Sequence, residues 1–172
     1  MLSTALSALL ALALLALDQW VKRYITLTLP LGESRPLLPG FLELKAVHNY
    51  GAAWSSFSGQ RWLLVIATSC IVLVLLFLLV RRVVRHPLGV LACCLIVSGG
   101  VGNILDRARL GYVVDMFNFQ FMNYPVFNVA DICIVSGCVL GFIYYQWFYE
   151  KYDKCEKKEK PHGNADTPSR GT

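Results

Sequence analysis

The chain has 172 residues, of which 56% are apolar, with a mean hydropathy of +0.52 and a formal net charge of +5. That apolar content excludes an ordinary soluble domain, and the length fits one domain. The positive charge crowds beside apolar runs, so it reads as a topology signal rather than a nucleic-acid footprint.

Four runs carry no charged residue: Met1–Leu17, Trp62–Val80, Pro87–Leu105 and Ile132–Tyr149. A helix rises about 1.5 Å per residue, so each run covers most of a hydrocarbon core about 30 Å thick. Four transmembrane helices are expected. The first run also has small residues suited to a cleaved signal peptide, Ala11, Ala13 and Ala16. No Lys or Arg precedes it, however, and a signal peptide needs a basic start. The helix continues through "LDQWVKRYI", giving helix one an extent of roughly Leu2–Ile25.

"TLTLPLGESRPLLPG" breaks the helical pattern with prolines and glycines. "FLELKAVH", residues 41–48, partly alternates as an interfacial strand does. "NYGAAWSSFSGQ" follows, with Trp54 and Phe57 suited to the headgroup level. After helices two and three comes "ARLGYVVDMFNFQFMNYPVF". As a strand it places Val113, Asp115, Phe117, Phe119 and Phe121 on one face. Strands from the two outer loops are expected to pair into a small sheet at the membrane surface. The stretch after Glu150 is charged and then turn-rich. Residues 1–150 therefore read as one membrane-embedded domain, and 151–172 as a disordered tail.

Arg81, Arg82 and Arg85 crowd the link between helices two and three, and Lys151, Lys154, Lys157, Lys158 and Lys160 follow helix four. With four helices these regions share one side, which the positive-inside rule makes cytoplasmic, with both termini. The opposing loops also hold seven Lys and Arg, so the bias rests on crowding beside helix ends. Of six cysteines, five lie in apolar runs and Cys155 lies in the tail. None has zinc spacing, and small apolar packing residues are expected.

This topology gathers Asp18, Asn49, Asn103, Asp106, Asp115, Asn128 and Asp131 near one membrane face. Asp18 and Lys22, at i and i+4, fit an interfacial ion pair that anchors helix one. Asn103, Asp106 and Arg107 follow Gly99, Gly100 and Gly102, where another backbone can approach closely. Helix packing with an Asp106–Arg107 pair stands there beside a direct role in a site. Asn128 suits a helix cap, and Asp131 suits the positive end of the helix dipole. Neither explains Asp115, which alternates with phenylalanines beside the membrane. Two carboxylates held close cannot both ionise cheaply, so they share a proton and supply one base and one acid. That chemistry activates water against an amide.

"DQWVK" at 18–22, "NYGAAWS" at 49–55, "GGVGNILDR" at 99–107, "VVDMFNF" at 113–119 and "FNVAD" at 127–131 together resemble the motif set of lipoprotein signal peptidase, or signal peptidase II. The resemblance covers about residues 5–150 and departs at no key position. It implies a bacterial inner-membrane aspartyl endopeptidase that removes signal peptides from diacylglyceryl-modified prolipoproteins, cutting just before the lipidated cysteine. Its fold would be mainly α, four transmembrane helices with a small extracytoplasmic β-sheet cradle and a short interfacial helix over the site. By motif position Asp115 and Asp131 would be catalytic. Asp18, Lys22, Asn49, Gly51, Asn103, Asp106, Arg107 and Asn128 would support substrate or dyad. The resemblance implies no metal or cofactor, and globomycin-like peptides as inhibitors. A small proton- or ion-coupled carrier is the rival reading, but carriers use midplane sites and internal repeats. A non-catalytic scaffold is the third, and would tolerate Asp→Asn at both positions.

Overall fold

The computed structural model describes residues 2–52 and 56–154, with side chains from residue 4 onward. In chain order the elements are α1 (Leu2–Thr28), β1 (Ser34–Leu38), β2 (Leu42–Asn49), α2 (Arg61–Val80), α3 (Pro87–Leu110), β3 (Val113–Phe119) and α4 (Val129–Trp147), then a π-helical turn over Tyr149–Lys154. All four helices are long and apolar enough to cross a membrane. Three extend by several residues beyond the apolar runs that announced them. α1 runs on to Thr28, as the sequence led one to expect as far as Ile25. α3 continues past Asp106 to Leu110, because a charge at a membrane face does not stop a helix. α4 starts at Val129, because Asn128 caps it.

α3 is the hub of the bundle. α1, α2 and α4 all pack on it, and α1 and α2 pack on α3 rather than on each other. Lipid tails are as apolar as leucine, so close backbone approach and polar contacts must hold such helices together. The glycines of α3 and α4 provide that approach. A Cβ at Gly99 would stand 2.2 Å from the carbonyl oxygen of Ala130, and one at Gly137 would stand 2.9 Å from that of Ala92. Gly99→Ala is therefore expected to push α4 off α3, costing about 1–3 kcal/mol or more. A fall in melting temperature in detergent, absent for Gly141→Ala, whose added Cβ would meet only Ala92 Cβ at 3.8 Å, checks this.

The two outer loops form one antiparallel sheet in the order β1-β2-β3. β2 and β3 are the strands expected from the sequence, with Val47 opposite Asp115 and Asn49 opposite Val113. Val113–Met116 are buried on both faces, and Met116 packs with Ile25, Leu29, Ala46 and Val114 where α1 meets the sheet. β1 was not expected, because Pro36 argues against a strand. It is an edge strand, where a missing N–H is tolerated. Phe121 falls beyond β3 and stacks on Phe41 instead of sharing the strand face. The short helix expected over the site and the headgroup position of Trp54 concern residues 53–55 and their flanks. Residues 53–55 lie outside the described residues, and the flanking described residues form bends and turns.

At the opposite end of the bundle, Val83 N–H donates to Leu78 O and Arg82 N–H to Leu79 O. This is a Schellman ending to α2, with Arg82 in the left-handed position at φ +51°. Glycine is the usual residue there, and a side chain costs of order 1–2 kcal/mol. His86 caps α3 and Pro87 opens it. The chain after α4 departs from the boundary at 150. Its π-helical turn carries buried Asp153, which accepts from Arg85 N–H and from the Tyr144 hydroxyl. These partners keep residues 151–154 folded. The rest of the expected tail, with Cys155, lies outside the described residues.

Candidate functional site

Local chemistry sets the first part of the site. The Asn128 side chain accepts from Asp131 N–H at 2.9 Å, and Asp131 Oδ2 accepts from Asn128 N–H at 3.2 Å. This capping box starts α4 and turns the Asp131 carboxylate back over the helix entrance. β3 supplies Asp115, 2% exposed. Its Oδ1 accepts from Asn128 Nδ2 at 2.7 Å, and its Oδ2 accepts from Asn49 Nδ2 at 3.0 Å. α3 supplies Asn103, whose Nδ2 donates to Asp131 Oδ1 at 2.8 Å. Asn128 thus holds both carboxylates, one through its side chain and one through its backbone.

Behind these groups lies a buried ionic layer. Lys22 Nζ stands 3.0 Å from Asp18 Oδ2, 3.0 Å from Asp106 Oδ2 and 3.0 Å from Asn103 Oδ1. Asp18 Oδ1 also accepts from Ala130 N–H at 2.8 Å, tying α1 to the start of α4. Asp106 accepts from Val114 N–H, tying α3 to β3. Two expectations are corrected here. The Asp18–Lys22 pair is not an interfacial anchor: its residues are 1% and 3% exposed and central to the layer. Asp106 pairs with Lys22 rather than with Arg107, because adjacent residues on a helix do not face each other. Arg107 Nη2 instead donates to Gly51 O at 2.7 Å, holding the turn after β2.

Sequence reasoning missed Gln19, whose Nε2 reaches Asp18, Asp106 and Gly102 O at 3.1, 3.2 and 3.3 Å. An amide directly beside the carboxylate that ends the first apolar run was the available signal.

Asp115, Asp131, Asn49, Asn103 and Arg107 line a cavity of about 300 Å³ between α2, α3 and α4, walled by apolar residues such as Leu64 and Ile134. Arg107 Nε is buried and has no partner among the described residues. Among those residues no cluster of His, Cys, Asp or Glu could hold a metal ion. Burial, and then the Asp131 carboxylate, push Asp115 up to about 7. Hydrogen bonds from Asn49 and Asn128 oppose that rise.

The folded protein therefore holds the Asp115 proton more tightly than the unfolded chain, where the ordinary value is 3.8. This contribution to stability is complete below about pH 4 and is lost as pH rises through about 7. Wild type should lose melting temperature relative to Asp115→Asn between pH 5 and pH 8. Parallel melting curves for the two proteins would contradict it.

A sequence model described as signal peptidase (SPase) II matches residues 10–148. This chain belongs to the signal peptidase II family. A lipoprotein signal peptidase of Enterococcus faecalis is 39% identical over 136 residues, covering 79% of this chain and 84% of that protein. One of Lactococcus lactis subsp. lactis is 42% identical over 126 residues, covering 73% and 83%. A solved bacterial membrane enzyme superposes with a TM-score of 0.78 at 30% identity, covering 91% of this chain and 94% of the other. The signal peptidase II match contains the whole polar network from Asp18 to Asp131.

Proposed function

We propose that this peptidase is of the aspartic type, with Asp115 and Asp131 as its catalytic pair and lipid-modified prolipoproteins as its substrates. The observation that carries the reading is the joint hold of Asn128 on both carboxylates at the wall of one cavity. A pair that shares one proton contains a base and an acid. The ionised carboxylate takes a proton from water, which attacks the carbonyl preceding the lipidated cysteine. The protonated partner polarises that carbonyl, then gives the departing amine its proton. Titration near neutrality belongs to the pair rather than to either residue.

The remaining residues support this chemistry from behind or beside it. Asn49, Asn103 and Asn128 hold the carboxylate oxygens, so neither aspartate can rotate away. Lys22, Asp18 and Asp106 fix Asn103 and the start of α4. Arg107 lines the cavity and steadies Gly51 there, beside the space that a substrate peptide or a globomycin-like peptide would occupy. The enzyme lies in the bacterial inner membrane with its termini and the Arg81–Arg85 link cytoplasmic, by the crowding of positive charge. The pair then faces the extracytoplasmic side, the depth at which a diacylglyceryl anchor holds the scissile bond. The carrier reading finds no support among relatives that are peptidases by name.

Lipidation is expected to set the rate by positioning the bond at the pair. Purified protein should cleave a diacylglyceryl-modified precursor far faster than the same unmodified precursor in the same detergent. Equal rates would sink the positioning role of the lipid, and cleavage of neither would sink the peptidase assignment.

A further inference from the structure

A second cavity, about 680 Å³, lies at the far end of the bundle from the carboxylates. α1 and α2 both lean on α3 without packing on each other, so a groove runs between them. Ala5, Ala8, Leu79, Val84 and Val90 give this cavity apolar walls, and Arg82 and Arg85 close its end. The small side chains of α1 leave width for an alkyl chain, while the end is cationic. Arg82 sits in the left-handed conformation that glycine normally takes at this turn. A strained arginine where glycine would be relaxed suggests that the side chain is needed there. Arg85 Nε donates to the Arg82 backbone carbonyl at 3.0 Å, which holds the Arg85 side chain against the turn that carries Arg82. None of these residues belongs to the polar network or to its cavity.

We propose that this cavity binds one anionic phospholipid, its phosphate between Arg82 and Arg85 and an acyl chain along the groove between α1 and α2. Basic pockets between transmembrane helices recognise anionic headgroups, and apolar walls beside the charge select a lipid over a free anion. The neighbouring Arg81 is not part of the cavity: its guanidinium lies over the Phe77 ring at 5.2 Å. The site is therefore distinct from a general attraction of basic loops to acidic membrane.

The test is native mass spectrometry and thermal melting of the purified full chain in neutral detergent. The probes are phosphatidylglycerol, phosphatidylcholine with the same acyl chains, and inorganic phosphate. Phosphatidylglycerol should give one retained adduct and a higher melting temperature, and the other two should give neither. Each basic residue near an acidic lipid contributes about five-fold in affinity, so Arg82→Gln with Arg85→Gln should weaken the adduct about 25-fold. Arg81→Gln should leave it intact. Ala8→Phe, which fills the groove and keeps both arginines, should abolish it. Arg82→Gly separates strain from binding: it should raise the melting temperature without lipid and reduce the gain that lipid provides. Equal binding of the two lipids, an equal effect of inorganic phosphate, or equal losses from Arg81→Gln and Arg82→Gln would each overturn the proposal.

Discussion

Asp131→Asn and Asp115→Asn should each lower cleavage of a lipidated precursor by at least about 10³-fold while leaving the protein folded. An amide can neither accept water's proton nor share one with the remaining carboxylate. Asparagine keeps the shape and one acceptor oxygen, so each variant keeps one of the two hydrogen bonds made to that side chain and loses the other. Replacing both aspartates should be little worse than replacing one, because groups that act as a unit are non-additive. The measurement is cleavage by each variant after melting curves show intact protein. A folded Asp131→Asn variant with near wild-type cleavage would leave Asp131 as a helix-capping charge only.

Lys22→Met should have the largest effect on stability. It leaves Asp18 and Asp106 buried with no cation between them, and removing one partner of a buried pair costs about 3–5 kcal/mol. The loss should be read as lower melting temperature in detergent, with activity falling too because Asn103 loses its Lys22 donor. Adding Asp18→Asn and Asp106→Asn to Lys22→Met should recover much of the stability, since no unpaired charge then remains. An unchanged melting temperature for Lys22→Met alone would mean that the layer is hydrated rather than buried.

Features with a short sequence period could be read before any coordinates. The four charge-free runs mark the spans, and alternation in "VVDMFNF" marks β3. Asn128 followed by Asp131 marks a helix start, and its capping box is the local half of the candidate site. Partner choice could not be read, because it depends on helix rotation. Asp106 faces Lys22, 84 positions away, rather than its neighbour Arg107. β1 was hidden by Pro36, which an edge strand accepts. Leu64 and Thr68 line the cavity beside the carboxylates, yet nothing in their composition separates them from lipid-facing positions of α2. That residues 151–154 fold could not be read either, because charged Asp153 finds its partners in the distant α2–α3 link.

The Asp18–Lys22 pair also bears on how the chain enters the membrane. Synthesis runs from the N-terminus, so α1 is inserted before Asp106, Asp115 or Asp131 has been made. An isolated carboxylate on an apolar helix would hinder that step, by up to about 2.5–3.5 kcal/mol at the centre and less near a face. α1 carries its own counter-ion one turn away, at 3.0 Å, so the helix enters with its charges already neutralised. When α3 arrives, Asp106 joins a cation that is already in place, and α4 then delivers Asp131 to the waiting amide of Asn103. Each acidic residue of the network thus meets a ready donor.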